Sequence, residues 1–253
     1  MYTLQLRSDE YRLIRLTLMD GGHQAHVFTS VMYPEPSCGA GRQDGGDCLP
    51  LFGCDLMQFG PPSNRRMLCV IDLQPIHEMM NHYHHHNQKQ QQSAPSFDYE
   101  GLLQPIRDQY PSLQQGMTKK FYDADRFSKQ MLLGRATTVS TPTSPNHQHT
   151  EKTLDACDTS GNDDVAVLLN DLFPAFQGYL NVHLDMVQRQ KQQQIRSSEN
   201  PSETAAAAIL QRQRLYDEYA ASHDPAHAMF SKHFGKEWAD EYIHDVLFPL
   251  SRR

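Results

Sequence analysis

QAHVFTSVMYPEPSCGAGRQDGGDCLPLFGCDLMQFG, running from Gln24 to Gly60, carries the first sign of a β-sheet in this chain. It holds two strand-like runs, Ala25 to Tyr33 and Leu49 to Phe59, joined by a connection rich in Pro and Gly. Aromatic and β-branched residues in short runs bounded by Pro and Gly are the signature of strands. Within the second run a single carboxylate, Asp55, stands among Leu51, Phe52, Leu56, Met57 and Phe59. Burying an unpartnered charge is costly, so an acid in such a strand is paired, hydrogen-bonded or kept for chemistry. The plain alternative is a solvent-facing Asp on an edge strand.

Upstream, YRLIRLTL (Tyr11 to Leu18) alternates, with Ile14, Leu16 and Leu18 on one face and Arg15 and Thr17 on the other, as a half-buried strand requires. Asp20-Gly21-Gly22 turns the chain into the next strand, and residues 37–47 form a flexible loop. Downstream, Arg66 to Gln74 (RMLCVIDLQ) is a further strand closed by Pro75. Successive strands with short turns predict an antiparallel sheet.

Residues 77–97 are low in complexity and include the run His82 to His86, which offers no fixed tetrahedral ligand set and reads as a solvated tract. Tyr99 to Tyr110 has helical spacing, Lys120 to Arg135 gives an aromatic turn and a fifth strand, and residues 137–164 read as a disordered insertion. From Val165 the period is helical to Gln190, with Pro174 either in an early turn or dividing the segment. Ser202 is placed to cap a helix reaching about Ala221. In His223-Asp224-Pro225-Ala226 an Asp precedes Pro at a helix start, an ordinary N-cap arrangement. That helix runs to Gly235, and a last one carries Trp238, Tyr242, Ile243, Val246 and Leu247.

The totals set bounds. A net charge of -7 argues against a general nucleic-acid binder. No apolar run reaches membrane-spanning length, and no signal peptide or other targeting sequence is visible at the start. Five cysteines without a C-x-x-C suit a reducing compartment better than a disulfide framework. Strands first and helices later, with no glycine-rich phosphate loop and no nucleophile elbow, give an α/β layered domain lacking a known cofactor loop. Spacing alone leaves Asp55 and Asp224 without assigned chemistry.

Five segments together resemble one family, the ferredoxin-dependent bilin reductases: VFTSVMYPEP (27–36), LPLFGCDLMQFG (49–60), VIDLQP (70–75), KFYDADRFSKQMLL (120–133) and HDPAHAMFSKHFGKEWADEYIHDVLFPL (223–250). The resemblance implies one domain over 1–253, folded as a three-layer α/β/α sandwich with a central antiparallel sheet. It implies an open-chain tetrapyrrole bound between sheet and helices, with no bound metal or flavin. Reduced ferredoxin, through the [2Fe–2S] cluster on that partner, would supply electrons singly, and side chains would supply protons to bilin radicals. In the family the acid matching Asp55 projects into the bilin pocket as a proton donor, and in the phycoerythrobilin branch the acid matching Asp224 is the second. A carboxyl in an apolar pocket is pushed up and can stay protonated near neutrality, whereas one used as a helix cap is stabilised ionised and donates less readily.

Thr17 and Thr29 occupy the places where the phycocyanobilin-forming enzymes carry a Glu and a His, so the resemblance is to the phycoerythrobilin branch. Strand parity adds Thr29, Met57, Thr17 and Arg15 as substrate-binding candidates, Arg15 as a guess for holding propionates. The implied reaction is reduction of biliverdin IXα to 15,16-dihydrobiliverdin. The alternatives are four-electron reduction to phycoerythrobilin, reduction of 15,16-dihydrobiliverdin, or a non-catalytic bilin carrier. The chain is expected to act as a monomer, in the plastid stroma if algal and otherwise in the cytoplasm. Acidic ferredoxin would dock on basic residues, with Arg65, Arg66, Lys119, Lys120, Lys232 and Lys236 as candidates by composition. Family members have early strands before the one starting at Tyr11, so a truncated chain or a shortened sheet is expected.

Overall fold

A computed structural model describes residues 1–22, 24–39, 48–61, 64–76, 99–115, 127–139, 160–197, 202–224 and 226–252. Six strands, β1 (Tyr2–Leu6), β2 (Tyr11–Asp20), β3 (Ala25–Pro34), β4 (Leu51–Phe59), β5 (Asn64–Gln74) and β6 (Leu132–Val139), form one sheet in sequential order. Every neighbouring pair is antiparallel. The helices are α1 (Tyr99–Arg107), α2 (Ser160–Ser197), α3 (Glu203–His223), α4 (Ala226–Phe234) and α5 (Lys236–Glu241), the last continued by a π turn, Tyr242–Leu247. The β4–β5 turn depends on Gly60, whose φ is 94°. A Cβ there would lie 2.5 Å from the Asn64 carbonyl oxygen, so only glycine closes this turn without displacing backbone.

Register divides the sheet into two faces. Arg15 pairs with Val31, Thr17 with Thr29, Thr29 with Asp55, and Asp55 with Val70, so these side chains share one face. On the opposite face Phe52, Cys54, Cys69, Ile71 and Leu73 meet Leu103 of α1 and Leu172, Ala175 and Tyr179 of α2 in the largest core cluster. Each such large apolar side chain, fully buried, is worth about 2 kcal/mol. On the Arg15 face, Ile209 of α3 packs on Leu13, Val31, Tyr33 and Leu51. Phe230, Tyr242, Ile243 and Leu247 from the C-terminal helices pack there around Met19 and Ala25. The Tyr242 hydroxyl ties these helices to the sheet edge, 2.6 Å from the Thr3 hydroxyl.

Several sequence expectations are corrected. On β2 the polar face is the covered one: Arg15 and Thr17 are buried, while Leu18 is exposed. The cause lies outside the strand, because α3 and the C-terminal helices cover the Arg15 face, whereas α2 lies over β4, β5 and β6 on the other. The sheet has a strand ahead of Tyr11, β1, paired along its length with β2. The strand expected within Lys120 to Arg135 begins only at Leu132 and runs to Val139, and α2 already begins at Ser160. The expected insertion at 137–164 is therefore ordered at both ends, and Pro36–Gly39 is a 3-10 turn rather than flexible loop. Pro174 does not divide the helix. The remainder of the three expected insertions, with the His82 to His86 run, lies outside the described residues.

Candidate active site

Asp55 occupies the middle of β4, a central strand, and so is not an edge-strand acid. Its neighbours on the same face, Thr29 across β3 and Met57 along the strand, are half-buried like itself. To one side the face is sealed by Leu133, Met131 and Val70, and to the other by α3 and the C-terminal helices. A partly open strip of sheet, Val27, Thr29, Asp55 and Met57, runs between the two sealed regions.

Among the described residues no hydrogen bond reaches the Asp55 carboxyl, and burial pushes it up to about 6. The Asp224 carboxylate adds to this rise and the Arg15 guanidinium opposes it. Although half-buried by surface, Asp55 lies deep enough in protein for lost hydration to outweigh both neighbours. The Thr29 hydroxyl is buried and has no hydrogen-bond partner among the described residues. Native interiors rarely leave such groups unpaired, so the pair Thr29 and Asp55 presents unsatisfied polar capacity to whatever occupies the strip.

Asp224 stands between α3 and α4. Its Oδ1 accepts the Ala226 N–H at 2.7 Å, and its carbonyl accepts the His227 N–H at 3.1 Å, so the capping geometry expected from the sequence is present. Burial nevertheless raises this carboxyl, held back by the Ala226 bond and by the charges of Arg15 and His227. A capping bond and a raised carboxyl therefore coexist at Asp224.

The structure thus gathers Arg15, Thr17, Thr29, Asp55 and Met57 on one sheet face, and the charge of Asp224, between the helices, acts on Asp55. Asp55, Thr29 and Met57 are contiguous, and Thr17 is the next residue across the sheet from Thr29. Thr17 is buried, its hydroxyl 3.2 Å from that of Thr3. Arg15 is buried and donates from Nη1 to the Leu247 carbonyl. Of the basic docking candidates, Arg66, Lys232 and Lys236 are exposed, whereas Lys119 and Lys120 lie outside the described residues. Among the described residues, no cluster of three or more His, Cys, Asp or Glu side chains is assembled to hold a metal ion.

Two further acids on this side of the sheet escaped the sequence reading. Asp72 pairs with Gly53, placing it on the Asp55 face, where it is fully buried. It accepts the Ser128 N–H at 2.9 Å and the Ser128 hydroxyl, and burial pushes it up to about 7. It stands in an apolar strand just as Asp55 does, so the same signal would have found it. Asp217, fully buried on α3, accepts the Tyr33 hydroxyl at 2.8 Å and the Leu250 N–H at 3.0 Å and is pushed up to about 6, chiefly by burial. Nothing in the polar surroundings of Asp217 marks it in the sequence.

The profile of the family described as ferredoxin-dependent bilin reductase matches residues 2–152 and 164–249. The chain is similar to the 15,16-dihydrobiliverdin:ferredoxin oxidoreductase of Nostoc punctiforme, 31% identical over 245 residues that cover 96% of this chain and 75% of the relative. It is equally similar to the protein of the same name from Gloeobacter violaceus, 31% over 242 residues, 94% of this chain and 74% of the relative. Among solved structures, that of SeMet-phytochromobilin synthase from tomato in complex with biliverdin aligns with a TM-score of 0.63 over 99% of this chain and 70% of that one. At 18% identity that likeness carries the fold alone.

Proposed function

Because this chain belongs to the ferredoxin-dependent bilin reductases, we propose that it reduces biliverdin IXα to 15,16-dihydrobiliverdin with Asp55 and Asp224 as proton donors. The observation that carries this reading is Asp55 itself, a carboxyl without hydrogen bonds among the described residues, on the partly open strip and raised to about 6 by its surroundings. A tetrapyrrole laid along Val27, Thr29 and Met57 would displace remaining water and push that carboxyl further up. The acid form would then persist near neutrality, where a general acid is useful.

In this reading the sheet and the helices on its two faces make up a three-layer α/β/α sandwich of one domain, 1–253. The bilin lies between the sheet and the C-terminal helices. Two reduced ferredoxins each deliver one electron from their [2Fe–2S] clusters, and the protein delivers two protons. The C15=C16 double bond becomes a single bond as one C–H forms at each carbon, and both ferredoxins leave oxidised. The protein carries no redox centre of its own in this scheme. Its part is to hold the bilin in a site of low polarity and to aim protonated carboxyls at the radical. Thr29, Met57 and Thr17 line the bilin. Arg66, Lys232 and Lys236 offer a basic surface to acidic ferredoxin, which raised salt should weaken. The protein acts as a monomer wherever reduced ferredoxin is made, in a plastid stroma or a cytoplasm.

The deciding experiment is an anaerobic assay with biliverdin, ferredoxin and a reducing system. Loss of the long-wavelength biliverdin band with a blue-shifted product, chromatographing as 15,16-dihydrobiliverdin, is the expected result. A bound spectrum that never changes would mean bilin carriage, and phycoerythrobilin as product would mean a four-electron enzyme.

A further inference from the structure

A buried guanidinium calls for a partner, because removing its charge from water is costly. Arg15 is only 6% exposed. Its Nη1 donates to the Leu247 carbonyl, and its guanidinium carbon lies 5.5 Å from the Phe248 ring centroid. Its Nε has no hydrogen-bond partner among the described residues. Register aims the side chain onto the face that carries Thr17, Thr29 and Asp55. At the far end of the same turn Asp217 accepts the Leu250 N–H. The C-terminal turn Leu247 to Leu250 is thus gripped at both ends by buried charged side chains, one from β2 and one from α3.

We propose that Arg15 is a positioning residue of the reduction: pinned to the Leu247 carbonyl, its guanidinium is the fixed cation shared by Asp55 and Asp224, and it sets the pH range over which they deliver protons. This rests on the reading of those two residues as donors. The other charged groups nearby are committed elsewhere. Arg12 donates to Gln213 Oε1 at 2.7 Å and lies over the Tyr33 ring, 4.6 Å from its centroid. His227, which faces Asp224, is bonded to Asp240 at 2.6 Å. Tyr216 of α3 also faces Asp55 and is held neutral by burial. Asp72 acts on Tyr216 and is satisfied by Ser128. Arg15 is the cation whose charge reaches Asp55, Asp217 and Asp224 alike.

A nearby cation favours the ionised carboxylate, so removing it lets both acids keep their protons to higher pH. The test compares wild type, Arg15→Gln and Arg15→Lys by anaerobic single-turnover rate against pH at saturating biliverdin, with biliverdin binding followed by absorption. Arg15→Gln should bind biliverdin and move the basic limb of the profile up by about half a pH unit or more. Arg15→Lys, which keeps the charge, should restore the limb to its wild-type position. Should the single loss of charge prevent folding, Arg15→Gln/Asp217→Asn removes one charge of each sign and should show the same upward movement. A limb that stays in place in a bilin-binding variant lacking the charge, or that moves equally in Arg15→Lys, overturns the assignment to Arg15 alone. Wild type unable to reduce biliverdin overturns the donor reading beneath it.

Discussion

Asp55 and Asp224 illustrate how two carboxyls of one kind are given different work by their surroundings. Asp55 has no hydrogen bond among the described residues and is raised by burial; Asp224 is raised by burial but spends one oxygen on the Ala226 N–H. Asp55→Asn removes the proposed proton donor without removing volume, so bilin should still bind while turnover falls about 10²- to 10⁴-fold. A radical or incomplete product should build up, visible by absorption and electron spin resonance. Full turnover by this variant would take Asp55 out of the chemistry. In the free protein the acid form of Asp55 is lost as pH rises through about 6, so kcat/KM should decline on the alkaline side of that value. Asp224→Asn separates the two roles of its residue. Asn caps about as well as Asp, so stability should change by less than about 0.5 kcal/mol while a reduction step is lost. A lowered unfolding midpoint with intact turnover would leave Asp224 a cap alone.

At the scale of elements, α2 is the departure from local rules: 38 residues long, it runs unbroken through Pro174. An interior proline removes one hydrogen bond and crowds the carbonyl four residues earlier. The helix persists because Leu172, Ala175, Tyr179, Met186 and Val187 are all buried on its core side. Pro174 is exposed, so Pro174→Ala should raise stability by roughly 1–3 kcal/mol without touching the core, measured by denaturant midpoint. An unchanged midpoint would mean that the helix accommodates Pro174 without cost. The same balance explains what the sequence made legible. Alternation marked β2, strand-like runs bounded by Pro and Gly marked β3, β4 and β5, and Ser202 marked the start of α3, where its hydroxyl accepts the Ala205 N–H at 3.3 Å. Alternation located β2 but not its buried face, which depends on helices far along the chain. β1 was missed because its stability comes from β2, from Tyr242 and from the Gln5 bond to the Val246 carbonyl at 3.0 Å, none of them visible in YTLQL. Asp55 stood out as an acid among apolar neighbours, whereas Asp217 became notable only once Tyr33 and Leu250 closed around it.

For the molecule as a whole these choices meet in the pH dependence of stability, where two groups of buried residues pull in opposite directions. Asp55, Asp72 and Asp217 are raised to about 6, 7 and 6, so the folded protein holds protons that the unfolded chain releases. Their contribution is fully present below the ordinary carboxyl range and is lost as pH rises through about 6 to 7. His183 works the other way. It is fully buried on α2, its ring 5.7 Å from that of Tyr11 and 5.9 Å from that of Phe52. Neither ring nitrogen has a partner among the described residues, and burial drives its pKa down to about 3. The unfolded chain therefore takes up a proton near 6.5 that the folded one refuses, so stability falls as pH drops below 6.5 and continues to fall towards 3. By pH 5 this amounts to about 2 kcal/mol relative to neutrality. His183→Leu keeps an apolar side chain of similar size and leaves no unpaired nitrogen. Its stability relative to wild type should therefore grow by about 2 kcal/mol between pH 7 and pH 5, read from urea midpoints at each pH. A difference that is the same at both values would mean His183 takes up its proton in the folded state, and that the core beneath the sheet admits a partner for it.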